Sequence, residues 1–123
     1  MIAAGLVAVL LLAFVTVPAV FAETSGAYEN ISVDEAYEMI KKAHKNLVIL
    51  DVRNQSEYNL GHLYDAVLIP VYELEERISE LQEHVNDPII VYCKAGLRSQ
   101  IACEILANKG FTNVYNLLGG ITA

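Results

Sequence analysis

The chain holds 123 residues, enough for one domain and not comfortably for two. Eight basic against fifteen acidic side chains give a formal charge of −7, all of it downstream of Ala22, which argues against nucleic acid or an anionic membrane surface as a partner. Two cysteines make no disulfide framework, and no C-x-x-C pair or His/Cys cluster has the spacing of metal ligands, so neither a metal nor a cofactor is expected.

Residues 1–22, MIAAGLVAVLLLAFVTVPAVFA, carry no charged side chain. Val20 and Ala22 stand at the −3 and −1 positions of a signal-peptidase site, Pro18 breaks the helix before it, and a polar stretch follows. These marks predict an export signal over 1–22, a linker over 23–29 and a domain over 30–123, working outside the cytoplasm. The n-region lacks Lys and Arg, and the apolar run approaches the ~20 residues that span a bilayer, so an uncleaved anchor is the competing expectation. Contact with a membrane is expected only through this segment, if it stays uncleaved.

Ser32-Val33-Asp34-Glu35 is a capping-box pattern and predicts a helix from Val33, with Ala36, Met39 and Ile40 on one face. The run 47–50 (LVIL) reads as a buried strand ending in Asp51-Val52-Arg53. EYNLGH, 57–62, suggests a short helical segment closed by a turn, and AVLIP, 66–70, a second strand. Leu74, Ile78, Leu81 and Val85 recur at helical spacing, predicting an amphipathic helix over 72–85 whose acidic residues face water. PIIVY, 88–92, is a third buried strand with Cys93 at its end. A helix over 99–110 follows, with Ile101, Ile105 and Leu106 inward and Gly110 as its C-cap, then a last strand over 113–117 before Gly119-Gly120. Strands and helices alternate and the strand runs are continuously apolar, a pattern that predicts an α/β fold with a mainly parallel sheet and helices on both faces. Ligands bind such sheets outside the carboxyl ends of the strands, where Asp51 and Cys93 both fall.

The stretch 91–100, VYCKAGLRSQ, therefore concentrates the chemistry. A loop leaving a strand for a helix turns successive N–H groups toward one point, and Gly96 allows the positive φ that such a nest needs. The helix N-terminus, Lys94 and Arg98 all favour negative charge there, so a thiol at Cys93 should ionise below its usual ~8.5. The same groups would hold an anionic substrate. The competing reading of the local string is an inert core thiol and an Arg98 that merely starts a helix.

Three longer blocks, VILDVRNQSEYNLGHLYDAVLIP, IIVYCKAGLRS and GFTNVYNLLGGITA, in this order, closely resemble the rhodanese family of sulfurtransferases from about residue 30 to the end. The resemblance implies a rhodanese-like parallel sheet of about five strands flanked by helices. It implies that Cys93, as thiolate, takes the outer sulfur of a small anionic donor such as thiosulfate and passes it from a persulfide to a cyanide, thiol or protein acceptor. Lys94, Ala95, Gly96, Leu97 and Arg98 would form the anion-binding loop, with Lys94 contacting the donor. A docking module without useful turnover is the alternative. Phosphatase or arsenate-reductase chemistry usually needs five residues between Cys and Arg, and here there are four.

Around this loop, Asp51 and Glu57 are expected to pair with Arg98 or Arg53 and orient it, the competing reading being solvated turn charges. His62 reads as a structural turn residue with no catalytic part, since a thiolate nucleophile needs no base. Cys103 reads as a packing residue. Two departures from the family pattern stand out. Asp65 replaces a customary glycine, and the chain stops at Ala123 where the family usually continues with Trp and a further helix, as in a truncated or minimal domain.

Overall fold

The computed structural model describes residues 27–42 and 45–123; the expected export signal over 1–22 and residues 23–26 of the expected linker lie outside the described residues. Five strands form one sheet: β1 (Glu29–Ile31), β2 (Val48–Asp51), β3 (Val67–Leu68), β4 (Ile89–Tyr92) and β5 (Val114–Leu117). Their order is β1-β5-β4-β2-β3, and every pair is parallel. Three α-helices accompany them among the described residues: α1 (Val33–Lys41), α2 (Gln55–Leu60) and α3 (Leu97–Asn108).

The apolar strand runs divide by alternation between the two faces of the sheet. Leu50, Ile89, Val91 and Cys93 pack on the face shared with Ala102, Cys103 and Leu106 of α3. Ile49, Ile90 and Tyr92 pack on the other, with Ala36 of α1 and Tyr58 of α2. Burying both faces is what makes the central runs Val48–Leu50 and Ile89–Tyr92 continuously hydrophobic. Leu50, Ile69, Leu74 and Ile89 are wholly buried, each stabilising the fold by about 1.5–3 kcal/mol relative to exposure.

The expected helix at Ser32 forms with both halves of its capping box, Glu35 N–H to the Ser32 hydroxyl and Ser32 N–H to the Glu35 carboxylate. Four expectations need correction. Glu29, assigned to the linker, begins β1 and pairs with Tyr115. The segment 72–85 is not an α-helix but two stretches of 3-10 turn, Val71–Glu73 and Ile78–His84. Leu74 and Leu81 are buried all the same, Leu74 in the turn between the two stretches and Leu81 within the second. The second strand shrinks to Val67–Leu68 at the sheet edge. Finally, α3 starts two residues early, with Ser99, Ala102, Cys103 and Leu106 inward, while Ile101 is 47% exposed.

The chain runs from β2 outward to β3, then crosses back to β4 and continues the other way to β5. The direction of winding thus reverses between β2 and β4. A crevice opens at the carboxyl ends of strands at such a reversal, and Asp51 and Cys93 flank it.

Candidate active site

Alternation along β4 carries Cys93 to the α3 face, where it lies 1% exposed beneath the first turn of that helix. Gly96 takes φ 111°, in the left-handed region that favours glycine, and so lets α3 begin at Leu97. The turn brings the Gly96 N–H to Cys93 Sγ at 3.0 Å. The thiol donates to Ser99 Oγ at 3.4 Å, and the Ser99 hydroxyl donates to the Gly96 carbonyl at 3.1 Å. When the thiol ionises, that hydroxyl can rotate and donate to sulfur instead.

Burial pushes the Cys93 thiol up, but the Ser99 hydroxyl and the N–H groups of Ser99, Gly96 and Ala95 outweigh it and hold the thiol below its ordinary value. Cys103, one turn beyond Ser99, has no such donors. Its burial, reinforced by negative charge on Cys93 and Glu104, pushes its thiol up to about 12. Of two buried cysteines, only Cys93 is prepared as a thiolate.

The Arg98 guanidinium turns aside to α2, where it donates to Glu57 at 2.6 and 2.9 Å. Glu57 serves twice, because its carboxylate also closes the α2 capping box with Asn54. The bond from Arg98 brings the Glu57 carboxyl down to about 2 against the opposing effect of burial, with help from Asn54 and Arg53. Asp51 and Arg53 pair with each other rather than with Arg98. Arg53 donates to Asp51 through its backbone N–H, Nε and Nη2, and through Nη2 to the Gly61 carbonyl at 2.7 Å. The Tyr92 hydroxyl donates to Asp51 at 2.7 Å and accepts from Leu63 N–H at 3.0 Å. Burial and the neighbouring Asp51 push the Tyr92 phenol up, so it stays a donor. This buried network fastens the floor between β2 and β4 to the turn 61–63.

Of the loop residues singled out by sequence, Ala95 and Gly96 face the sulfur through their N–H groups, and Leu97 projects outward, 70% exposed. Lys94 is exposed and borders a cleft of about 540 Å3, shared with Arg53, Glu57, Leu60, His62 and Ile121. It pairs with no carboxylate among the described residues.

Three residues hold parts here to which the sequence alone assigns no role. Ser99 supplies the side-chain donor, Tyr92 the cross-strand bond, and Gly120 the backing of the loop. Ile121 N–H donates to the Cys93 carbonyl at 2.9 Å, and the Thr122 hydroxyl to the Lys94 carbonyl at 3.1 Å. A Cβ on Gly120 would run into the Cys93 carbonyl and stand 2.6 Å from that of Lys94. The hydroxyl directly after Arg98 and the paired glycines were the available signals.

A family model described as a rhodanese-like domain matches residues 32–123. The thiosulfate sulfurtransferase GlpE of Coxiella burnetii is 37% identical over 93 residues, covering 76% of this chain and 83% of that protein. The tRNA uridine(34) hydroxylase of Chlamydia caviae is 35% identical over 101 residues, covering 77% of this chain and 30% of the hydroxylase. The crystal structure of a rhodanese-related protein from Thermoplasma volcanium superposes with a TM-score of 0.66 at 33% identity, covering 76% of this chain and 87% of that one.

Proposed function

Because this chain belongs to the rhodanese-like domain family of sulfurtransferases, we propose that it moves sulfane sulfur from a small anionic donor of the thiosulfate class to a thiophilic acceptor through a persulfide on Cys93. The observation that carries this reading is the set of donors around Cys93 Sγ, with Gly96 N–H at 3.0 Å and the Ser99 hydroxyl at 3.4 Å. In the first step the Cys93 thiolate attacks the outer sulfur of thiosulfate. A bond forms between the two sulfurs, the donor's S–S bond breaks, and sulfite departs with its electron pair. The charge then rests on the outer sulfur of the persulfide, where a nest of N–H groups stabilises it. Lys94 offers a cation for the donor's sulfonate.

The test is mass spectrometry after thiosulfate. Wild type should gain one sulfur atom, Cys103→Ser should gain it too, and Cys93→Ser should not. Turnover with cyanide or a thiol, and little hydrolysis of aryl phosphate, separates sulfur transfer from phosphate chemistry and from a docking role without turnover. Persulfide on the Cys93→Ser variant, or preference for the phosphate ester, overturns the proposal. Export forms part of the same reading and is supported by the uncharged segment 1–22. Recovery of the full-length chain in the cytoplasm would remove it.

A further inference from the structure

The cleft beside the Cys93 loop holds a histidine whose placement the first step does not use. His62 follows Gly61 in the turn that Arg53 fastens, and its ring stacks on Tyr58 with centroids 3.6 Å apart and planes within 3°. Tyr58 is itself fixed, its hydroxyl donating to the Ala66 carbonyl at 2.8 Å. His62 Nδ1 lies 2.9 Å from the Tyr58 carbonyl. A carbonyl only accepts, so in the neutral ring the proton sits on Nδ1 and the lone pair on Nε2. Nε2 has no partner among the described residues, and the ring borders the cleft that Lys94 and Arg53 also line. Stacking and hydrogen bond together fix both the plane and the tautomer of an exposed imidazole, more than a turn residue requires.

Building on the sulfurtransferase reading, we propose that this cleft receives the acceptor as a protonated thiol and that His62 Nε2 takes its proton. At neutral pH an aliphatic thiol is mostly protonated, and the thiolate is the nucleophile. His62 accepts the proton as the acceptor sulfur attacks the outer sulfur of the Cys93 persulfide. A new S–S bond forms, the bond from the outer sulfur to Cys93 Sγ breaks, and its electron pair remains on Cys93 as thiolate. The acceptor leaves as a persulfide, and the proton returns to it or to water. The sulfane sulfur moves without any external oxidant or reductant. Lys94, whose charge is unpaired among the described residues, favours the incoming thiolate, whereas the Arg53 charge is already engaged by Asp51. Glu57, the acid on the cleft wall, is neutralised by Arg98. Leu60, 92% exposed, and Ile121 add an apolar border suited to the carbon chain of an organic thiol.

The experiment loads the full-length protein with thiosulfate, confirms the persulfide by mass, and follows its discharge in a single turnover. Sulfite needs no deprotonation by the protein, 2-mercaptoethanol does, and thionitrobenzoate is already ionised. His62→Asn keeps a side-chain amide able to donate to the Tyr58 carbonyl but has no basic nitrogen. In this variant the ratio of mercaptoethanol to sulfite discharge should fall about tenfold or more, the ratio of thionitrobenzoate to sulfite should hold, and added imidazole should restore mercaptoethanol discharge. Equal change in all three rates, or none, overturns the inference and leaves the sulfurtransferase reading intact. Failure of the wild type to load sulfur overturns that reading first. If His62→Asn fails to fold, His62→Gln is put through the same comparison, with the same ratio deciding.

Discussion

Arg98 donates two hydrogen bonds to Glu57, at 2.6 and 2.9 Å, and so ties the end of the Cys93 loop to α2. The pair fixes where the loop ends without placing the guanidinium over the sulfur. The Glu57 carboxyl is held at about 2, below its ordinary 4.5, first by the Arg98 bond. Its contribution to stability is therefore complete above the unfolded value and lost as pH falls toward 2. Both side chains are partly exposed, so solvent screening keeps that contribution under about 1 kcal/mol. Glu57→Gln should lower the thermal midpoint slightly at pH 6, and the difference from wild type should vanish near pH 2. A difference that persists in acid would mean that Glu57 acts through packing rather than charge.

Ser99 should matter more to the thiol than Arg98. Burial works against ionisation of Cys93, and hydroxyl and N–H donors overcome it, whereas the charge of Arg98 is already engaged by Glu57. Ser99→Ala removes one of those donors while leaving its backbone N–H in place. The pH profile of iodoacetamide modification at Cys93 should move upward in Ser99→Ala, and by less in Arg98→Ala. The reverse order would make the cation, not the hydroxyl, the main support of the thiolate.

Much of this arrangement was legible in the sequence because strand ends and caps are local signals. Ser32 and Glu35 announced α1, and the apolar run into Cys93 put the thiol at a strand's carboxyl end. Pairings across the fold were harder. Asp51 and Glu57 were each candidates for Arg53 or Arg98, and only the sheet order separates them, with Asp51 kept beneath the floor and Glu57 brought to the loop by α2. The 3-10 turns of 71–84 were hidden because Leu74 and Leu81 satisfy an α-helical spacing equally well. The rotation of α3 followed from Ser99 and Cys103, two small residues that periodicity of large apolar side chains does not count.

Asp65 stands at φ 60°, the sole non-glycine residue in the left-handed region among the described residues. An aspartate tolerates that region better than most L-residues but still carries a steric cost that glycine lacks. This is the position where the rhodanese resemblance leads one to expect glycine. Asp65→Gly should raise stability by up to about 1 kcal/mol, offset in part by the added freedom of the unfolded chain. Because the side chain takes no part in the Cys93 loop, persulfide loading should be unchanged. Chemical denaturation alongside a loading assay checks both halves of that statement.

Gly120 allows a sharper test, since two different effects of adding a methyl group can be separated. Its φ of 59° already disfavours an L-residue, by about 1–2 kcal/mol. In addition, the new Cβ would meet the carbonyls of Cys93 and Lys94, which are backbone and cannot swing away as a flexible side chain could. Gly110 provides the comparison, with φ 92° and open space where its Cβ would go. Gly110→Ala should therefore show the conformational cost alone, with the titration of Cys93 unmoved. Gly120→Ala should lose more stability and also displace the loop, drawing the N–H groups of Ala95 and Gly96 off the sulfur. Its thiol should then titrate higher and load sulfur more slowly. Equal losses in the two variants, with Cys93 reactivity unaltered in both, would show that the loop holds its shape without the close backing of Gly120.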